Sequence, residues 1–571
     1  MKKKISFALS FAVMLICLMV TFSAFANETE NEAEKVLIDS TNTSVSLSQT
    51  CPIYRGDAYE PTATVVYTDD EGNKTTLVKD IDYTVTYLDN VNAGTATVKI
   101  DGIGNYEGSI DENFIIRAAW ISNTKDFKIS LSYPSVKYNG KAQAPKVTIV
   151  RTFEGRTTTL TQGKDFNVSV SNNINCGNAT IKITGIGNFY ASVTKTFRII
   201  PADVTGFKYT STANSITLKW NKSNGNITGY HVLYYDRASK QYKTLRVLPA
   251  NTTSVTLNNA RPATGYWYKI RAYKSVGSTN YFGSYSKIIT AITQPAKMNI
   301  KYAAKNGSNI TVNWYATNCT HYQVFYSTDR SFKTNCKIIN VKNNTTSYTI
   351  RNVNKNSTYY VKVRGVYMLG NERQCGWSSQ YLSTDYDYLY EYYTCSYVNN
   401  ANRTTNLRIA SNAINGTIVM PGQTFSFNDV VGPRTAAKGY KPAATFTGGN
   451  RVENELGGGI CQVASTVFNC ALYSNVEIVE RHQHTQRVSY VPLGRDAAIY
   501  GTAQDFKWRN NTGYPIKIVM SVNNGKITCS FYTCADVSPK PVDFKVTQNG
   551  KNFTFRRYVN GTVNYTCYSK Y

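Results

Sequence analysis

Histidine and proline are scarce in this sequence, and acidic residues are well outnumbered by basic ones. The 571 residues include 4 His and 15 Pro, with 63 Lys+Arg against 36 Asp+Glu and a formal net charge of +27. Few prolines together with 44 Tyr, usually flanked by Thr, Asn, Val or Ile, favour pleated strands over a helical bundle. The length predicts several domains, and a hydrophobic share of 42% excludes wholesale disorder. We therefore predict a multidomain, mainly β protein.

Long apolar runs are also lacking, with one exception near the first residue. Lys2–Lys4 precede an apolar run from Ile5 to about Phe22, and the small-x-small triplet Ala24–Ala26 follows it. This pattern is typical of a secretory signal peptide, here residues 1–26, although a retained N-terminal anchor is the alternative. With no second run, we expect no transmembrane segment after signal removal. No sorting motif or terminal apolar anchor follows, so we predict a secreted, extracellular protein that associates with the cell wall non-covalently.

The cysteines lack the spacing of a disulfide framework. Of the 12 Cys, Cys17 lies in the predicted signal, and no CxxC pair is present. This excludes a small domain that depends on dense disulfides. The odd number left in the exported chain predicts at least one thiol that is unpaired or pairs between chains.

Positive charge is unevenly distributed. Residues 27–117 contain 6 basic and 17 acidic residues, whereas residues from 118 onward contain 54 basic and 19 acidic ones. Outside the cell the abundant polyanions belong to the envelope. We therefore expect peptidoglycan or anionic wall polymers as partners and no nucleic acid, with solubility alone as the alternative role of the charge.

A self-similar pair of segments occupies the first third of the chain. Asp82–Val85 recurs as Asp165–Val168, and Gly102–Tyr106 recurs as Gly185–Phe189, each 83 residues later. Such self-similarity marks tandem domains, and the alternating strands with Gly-Asn turns predict small β-sandwiches or meanders. The two copies resemble the Ig-like repeats of Gram-positive surface proteins, which implies a spacer or a carbohydrate-binding role. The predicted boundaries are an acidic leader at 27–50 and repeats at 51–118 and 131–200.

A second pair follows. Ser215–Trp220 has its counterpart in Asn309–Trp314, and each is followed by alternating strands that contain Tyr266 and Tyr359, respectively. These stretches resemble fibronectin type III domains. The resemblance implies that the two tryptophans lie in sandwich cores and that Tyr266 and Tyr359 form tyrosine corners. The predicted boundaries are 201–295 and 296–385.

Residues 387–536 differ from what precedes them, because helical spacing appears beside strand patterns. The motifs in this stretch, in chain order, are Thr405–Ile414, Pro421–Asn428, Val431–Thr435, Lys438–Tyr440, Gly457–Gln462, Glu480–His484, Tyr490–Ala497 and Asn510–Ile516. With these motifs the stretch resembles the VanW family, named from a vancomycin-resistance gene cluster, and the resemblance implies a cell-wall context. We predict an α+β domain here and a β extension over 537–571.

One cysteine in this domain has the sequence setting of a nucleophile. Cys461 follows three glycines and begins a segment whose apolar residues recur at i, i+4, which predicts an amphipathic helix ending near Asn475. A thiol at a helix N-terminus has a lowered pKa. Gly458 and Gly459 allow a sharp turn that leaves backbone N–H groups free for an oxyanion.

Two of the four histidines follow this helix. His482 and His484 lie two residues apart after a strand-like run, which would place both on one face, and Asp496 follows. A thiolate, an imidazole and a carboxylate are the set that cysteine peptidases, amidases and transferases need. Zinc held by Cys461, His482 and His484 is one alternative, and a non-catalytic pocket or structural core is another. No cofactor is expected.

Substrate-binding residues are predicted from the same motifs. Arg434 and Arg495 are the candidates for gripping a carboxylate or phosphate, because a planar guanidinium binds either group through two parallel bonds. Gln462, Gly458 and Gly459 complete the predicted substrate-binding set. The substrate would be an amide or peptide bond of the wall, and the alternative is a structural or adhesive surface protein without activity.

Overall fold

A computed structural model of the chain describes residues 34–378, 380–447 and 451–571. The predicted secretory signal, residues 1–26, lies outside the described residues. The chain divides into two compact units, one that ends at Pro201 and also takes in Val276–Tyr281, and one formed by Ala202–Ser275 and Phe282–Tyr571. Within the described part of the chain, no helix is long and apolar enough to cross a membrane.

The first module is built from short antiparallel strands in two three-stranded sheets, β2-β3-β4 and β5-β6-β8, plus one two-stranded parallel pair, β1-β7. Its strands are β1 (Val36–Leu37), β2 (Thr43–Leu47), β3 (Ala63–Thr68), β4 (Lys74–Thr76), β5 (Tyr83–Leu88), β6 (Gly94–Gly102), β7 (Tyr106–Glu107) and β8 (Ser109–Ile116). Because β1 and β2 pair with β7 and β3, the described residues of the predicted leader 27–50 are part of this module and do not form a separate segment.

The second module repeats this arrangement. A two-stranded parallel pair, β9-β16, again lies beside two larger sheets, β10-β12-β13 and β11-β17-β15-β14. The repeat therefore begins near residue 119, earlier than the predicted residue 131, since β9 lies 83 residues after β1. Its strands are β9 (Ala119–Trp120), β10 (Phe127–Leu131), β11 (Ser135–Lys137), β12 (Val147–Phe153), β13 (Arg156–Thr159), β14 (Phe166–Ser171), β15 (Gly177–Gly185), β16 (Phe189–Tyr190) and β17 (Ser192–Ile200).

The third module is a two-sheet sandwich. One sheet has the order β18-β19-β22, and the other places β20 between β21 and β23. Trp220 is buried between the sheets, and the Tyr266 hydroxyl accepts a hydrogen bond from the Arg261 N–H at 2.9 Å, which confirms the predicted tyrosine corner. The strands are β18 (Lys208–Ser211), β19 (Ser215–Lys219), β20 (Gly229–Asp236), β21 (Gln241–Pro249), β22 (Ser254–Asn258), β23 (Gly265–Val276), β24 (Thr279–Phe282) and β25 (Ile289–Ile292).

The fourth module has the same topology, with sheets β26-β27-β30 and β29-β28-β31-β32. Trp314 is buried, and the Tyr359 hydroxyl accepts from the Asn354 N–H at 3.2 Å, so the second predicted corner is present as well. The strands are β26 (Ile300–Asn306), β27 (Asn309–Trp314), β28 (His321–Ser327), β29 (Lys337–Lys342), β30 (Ser347–Ile350), β31 (Tyr360–Leu369), β32 (Glu372–Cys375) and β33 (Leu382–Ser383).

The C-terminal domain combines sheets with helices, as predicted. An antiparallel sheet, β34-β42-β41-β35, packs against α1 and α3, and a smaller sheet has the order β36-β40-β39. The elements are β34 (Tyr388–Ser396), α1 (Ala401–Ile414), β35 (Ile418–Val419), β36 (Thr424–Ser426), α2 (Phe427–Val431), a 3-10 turn (Ala436–Lys438), β37 (Pro442–Thr447), β38 (Arg451–Leu456), α3 (Ile460–Tyr473), β39 (Glu477–Glu480), β40 (Lys507–Arg509), β41 (Ile516–Asn523) and β42 (Lys526–Thr533).

Helix α3 is the centre of this domain. Twelve of its residues are buried, among them Val463, Val467 and Phe468, which belong to the largest apolar core of the chain. The helix ends before Asn475, whose φ of 53° reverses the chain, as the sequence predicted. A helix buried on all sides is rigid because its side chains are close-packed. A side chain in its first turn is therefore held in a fixed position.

The C-terminal extension completes the same core. Its strands β43 (Val542–Asn549), β44 (Asn552–Val559) and β45 (Thr562–Lys570) form an antiparallel sheet. Phe555 is buried in the core around α3, and the buried Arg557 guanidinium donates to the carbonyl oxygens of Leu472 and Val476 at 3.2 and 3.0 Å. The predicted boundary at residue 537 is therefore wrong: the strands after it pack in the same domain as α3.

Candidate active site

A cleft opens over the N-terminal end of α3. Its volume is about 1940 Å³, larger than the roughly 300–1,000 Å³ of most small-molecule sites. The cleft is therefore large enough for an extended substrate. Residues lining it include Arg403, Arg434, Gly459, Cys461, His484 and Tyr490.

Cys461 occupies the first turn of α3 and is half-buried at the floor of this cleft. Gly459 is the N-cap residue of α3, its φ of 102° favours glycine, and no side chain in the described ranges caps this end. First-turn N–H groups have no partner within a helix. The N–H groups of Ile460 and Gln462 donate to the carbonyl oxygens of Gly457 and Gly459 at 3.4 and 2.9 Å. Among the described residues no acceptor engages the N–H of Cys461, which is therefore available beside the thiol for a developing oxyanion.

The preceding glycine explains how the turn fits. A Cβ on Gly458 would lie 2.0 Å from the carbonyl oxygen of Ala443, so any side chain there would displace strand β37. Gly458 is buried, and its own carbonyl oxygen accepts from the Asn406 side chain at 3.1 Å. Of the two glycines in the predicted substrate-binding set, Gly459 lines the cleft and Gly458 lies behind it.

His484 connects the thiol to a buried carboxylate. Its Nδ1 donates to Asp496 Oδ2 at 2.7 Å, and its backbone N–H donates to the same oxygen at 2.8 Å. The other ring nitrogen, Nε2, lies 3.3 Å from the Tyr490 hydroxyl. A hydrogen bond between the His484 ring and the Cys461 thiol shifts the pKa of both groups, and Cys461 Sγ also lies 3.6 Å from the Ile499 carbonyl oxygen. The structure thus brings together three of the predicted catalytic residues in the order thiol, imidazole, carboxylate.

Asp496 is fixed from its other side. Its Oδ1 accepts from Arg481 Nη2 at 2.6 Å and from the Tyr571 hydroxyl. The Arg481 and Asp496 side chains are 3% and 1% exposed, so this ion pair is shielded from water. A carboxylate held in this way keeps the imidazole of His484 in one tautomer and orientation.

The pKa shifts along this chain of contacts favour a charged pair. Burial alone would raise the pKa of the Cys461 thiol, but the hydrogen bond and charge of His484 and the charge of Arg434 lower it. Burial alone would lower the pKa of His484, but its hydrogen bonds to Asp496 and Cys461 raise that pKa to about 9. Burial would raise the pKa of Asp496, yet His484 and Arg481 hold it well below its usual range. Both shifts at the thiol–imidazole contact stabilise thiolate and imidazolium.

Cys461 differs in this respect from the other cysteines whose pKa is shifted. Burial raises the pKa of each of those thiols, so they stay protonated at neutral pH. Among the cysteines of the described residues whose pKa shift is resolved, Cys461 is the one with a lowered pKa. The thiols with a raised pKa are Cys319, Cys395, Cys470, Cys534 and Cys567.

His482 does not join the site, contrary to the prediction that both histidines share a face. Its Nε2 lies 2.9 Å from Glu480 Oε1, and its ring is part of a surface network with Lys507. The predicted strand ends at Glu480, and the chain then leaves the regular alternation that would have aligned the two rings. Cys461, His482 and His484 therefore do not converge, and the described residues contain no group of three or more ligands placed to hold a metal ion.

Two of the predicted substrate-binding residues are engaged within the domain. Arg495 Nε donates to Asn469 Oδ1 at 2.6 Å, and its guanidinium lies 4.9 Å from the ring centre of Tyr473, which places it in the core. The side-chain amide of Gln462 donates to the Ser396 carbonyl oxygen at 2.6 Å, so it holds α3 against the end of β34, while Gln462 also lines the cleft. Arg434 lines the cleft beside Cys461 as well.

The C-terminal domain is similar to known proteins. The family model described as VanW like protein matches residues 402–532. The chain carries a VanW-like domain. The fibronectin type III domain model matches residues 201–288 and 293–380, so two fibronectin type III domains precede the VanW-like domain. Cys461, His484 and Asp496 lie inside the VanW-like match.

Two relatives align with the VanW-like domain. The uncharacterized protein YoaR of Bacillus subtilis is 41% identical over 143 residues, which are 25% of this chain and 47% of YoaR. The vancomycin B-type resistance protein VanW of Enterococcus faecalis is 30% identical over 144 residues, which are 24% of this chain and 51% of that protein. The chain spans about half the length of these curated relatives.

Among solved structures, a segment of two fibronectin type III domains from chicken tenascin covers 32% of this chain and 97% of its own length. The identity is 16% and the TM-score is 0.23. The fibronectin type III assignment rests on the family match and on the strand order and tyrosine corners described above.

Three residues of the VanW-like site were missed by sequence reasoning. Arg481 and Tyr490 lie inside motifs that carry the family resemblance, and their proximity to His484 in the chain was the available signal. Tyr571 lies 75 residues after Asp496 and reaches it through the C-terminal sheet. No local pattern in the sequence indicates such a contact.

Proposed function

We propose that the VanW-like domain is a cysteine-nucleophile peptidase, amidase or transferase that acts on amide bonds of peptidoglycan. The observation that carries this proposal is the chain of contacts from Cys461 through His484 to Asp496 at the floor of a cleft. Thiolate, base and orienting carboxylate are the three groups that this chemistry requires. The backbone N–H of Cys461, in the first turn of α3, adds a donor for the oxyanion.

The reaction follows from these positions. The Cys461 thiolate attacks the carbonyl carbon, a carbon–sulfur bond forms, and the carbonyl electron pair moves to oxygen beside the backbone N–H of Cys461. When the tetrahedral intermediate collapses, the carbon–nitrogen bond breaks and the imidazolium of His484 gives its proton to the leaving amine. Water or a second amine then attacks the thioester, loses a proton to His484 and releases Cys461 as thiolate.

The cell-wall setting rests on separate observations. The relative from Enterococcus faecalis is named a vancomycin B-type resistance protein, and we take a cell-wall setting for this chain from that name. In this chain, residues from 118 onward carry 54 basic and 19 acidic residues, a charge suited to anionic wall polymers. We infer an exported protein, non-covalently associated with the wall, in which the modules before residue 387 hold the VanW-like domain at its substrate.

The direct test uses the full chain and soluble peptidoglycan fragments. We expect Cys461 to gain the mass of an acyl fragment, and the fragments to lose an amide bond, as measured by mass spectrometry. Cys461→Ala should abolish both signals. Cys51→Ala, which removes an exposed thiol in the first module, should leave them unchanged. Acylation that persists in Cys461→Ala, or wall fragments left intact by the unmodified protein, would contradict the proposal.

A further inference from the structure

Arg434 is the feature of the cleft that the proposed mechanism leaves unused. It is half-buried and lies across the turn before α3, where a Cβ on Gly457 would come within 3.0 Å of Arg434 Cδ. Its charge is close enough to lower the pKa of the Cys461 thiol. Across residues 34–378, 380–447 and 451–571, no hydrogen bond or ion pair engages its guanidinium. The donors of Arg434 are therefore free beside the nucleophile.

The other half-buried arginine of the cleft is committed to the fold. Arg403 donates to the Gln462 side chain at 2.9 Å and to the Ala444 carbonyl oxygen at 3.3 Å. Arg487 also lines the cleft, but its side chain is exposed to solvent. Of these three arginines, Arg434 alone combines partial burial, uncommitted donors and an electrostatic effect on the Cys461 thiol.

The charges that line the cleft favour an anionic ligand. Three arginines line it, against the two exposed carboxylates of Asp429 and Glu455. A planar guanidinium binds a carboxylate through two parallel charge-assisted hydrogen bonds, and such bonds are stronger where water is partly excluded. An uncommitted guanidinium beside a reacting carbonyl therefore suits a substrate whose carboxylate lies next to the scissile bond.

We infer that Arg434 binds the free C-terminal carboxylate of a peptide whose last amide bond is attacked by Cys461. The inference rests on the proposed function and adds the substrate class, a peptide that ends one residue beyond the scissile bond. In the reaction, the carbon–nitrogen bond of that last residue breaks and its amine takes the proton from His484. The residue leaves with its carboxylate on Arg434, and water or an acceptor amine completes the transfer from the thioester.

Two alkylating reagents of similar size test this assignment on the full chain. Iodoacetate carries a carboxylate and iodoacetamide does not, and with both reagents a carbon–sulfur bond to Cys461 forms as iodide leaves. The ratio of the two rates cancels the ionised fraction of the thiol, which Arg434 also affects. We expect Arg434→Gln to lower the iodoacetate-to-iodoacetamide ratio about tenfold, equivalent to the loss of one charge-assisted contact. Arg487→Gln, the matched rim variant, should lower it less than about twofold.

Protection from iodoacetamide identifies the ligand. N-acetyl-dialanine, in its L,L and D,D forms, should protect Cys461 in the unmodified protein, its C-terminal amide should not, and Arg434→Lys should weaken the protection because it loses the paired donors. An unchanged reagent ratio in Arg434→Gln, or equal protection by acid and amide, would overturn the inference while leaving the nucleophile proposal intact. Stronger protection by inorganic phosphate would assign Arg434 to a phosphate instead. A Cys461 that reacts with neither reagent would overturn the proposed function itself.

Discussion

Replacing His484 by alanine is expected to slow alkylation of Cys461 by iodoacetamide at neutral pH by roughly 10- to 100-fold. The hydrogen bond and the charge of His484 lower the pKa of this thiol, whereas burial raises it. Without the imidazole, the thiol pKa should rise and the thiolate fraction at neutral pH should fall. A cysteine without such help is only a few per cent thiolate at pH 7. The measurement is the rate at which the Cys461 peptide gains the reagent's mass in the folded protein.

His482→Ala is the matched control for this variant. It removes an imidazole two residues away that interacts with Glu480 and has no place at the thiol. Its alkylation rate should stay within about twofold of the unmodified protein, since exposed substitutions have small effects. Equal slowing in both variants would mean that the contact between His484 and Cys461 does not control the thiol.

Replacing Asp496 by asparagine is expected to lower the free energy of unfolding by about 3–5 kcal/mol, because it leaves the buried guanidinium of Arg481 without its counter-charge. The amide also loses the charged hydrogen bond from His484. Urea or guanidinium unfolding of the variant and the unmodified protein gives the difference directly. Asp429→Asn, which changes an exposed carboxylate of the same domain, should stay within about 0.5 kcal/mol.

The cost of Asp496→Asn should depend on pH in a defined way. His484 has a folded pKa of about 9 against an ordinary 6.5, so its contribution is complete below 6.5 and is lost as the pH rises through 9. Asp496 has a folded pKa below its ordinary 3.8, so its contribution is present above 3.8 and is lost as the pH falls through the folded pKa. The variant should therefore be most costly between pH 3.8 and 6.5. A cost that grows above pH 9 would contradict the assignment of His484 as the charged partner.

Much of the architecture could be predicted from local pattern. The 83-residue repeat, the tryptophans of the two sandwiches and the helix beginning at the glycines before Cys461 all depend on short-range periodicity or on recurring motifs. Module boundaries were less accessible. Strands β1 and β9 are only two residues long and pair in parallel with strands far along the chain. They are too short to show the alternation of apolar and polar residues from which a strand is predicted.

The candidate site could be predicted in part for the same reason. Cys461, His484 and Asp496 stand in motifs, and the structure brings them together. His482 does not reach the site because β39 ends at Glu480, where the backbone departs from the pleat that the sequence pattern predicts. Arg495 was expected in the cleft because its chemistry suits an anion, but aromatic rings and Asn469 hold it in the core. Residue type alone does not distinguish those two fates.

The measurement that tests the account most directly is the pH dependence of Cys461 alkylation in the unmodified full chain. We predict that reaction with iodoacetamide persists well below the ordinary thiol pKa of 9.0, because the imidazolium of His484 stabilises the thiolate, and that the rate changes again near pH 9 as His484 loses its proton. A rate that rises in a single step with a midpoint at or above 9.0 would contradict the account. So would a Cys461 found in a disulfide bond.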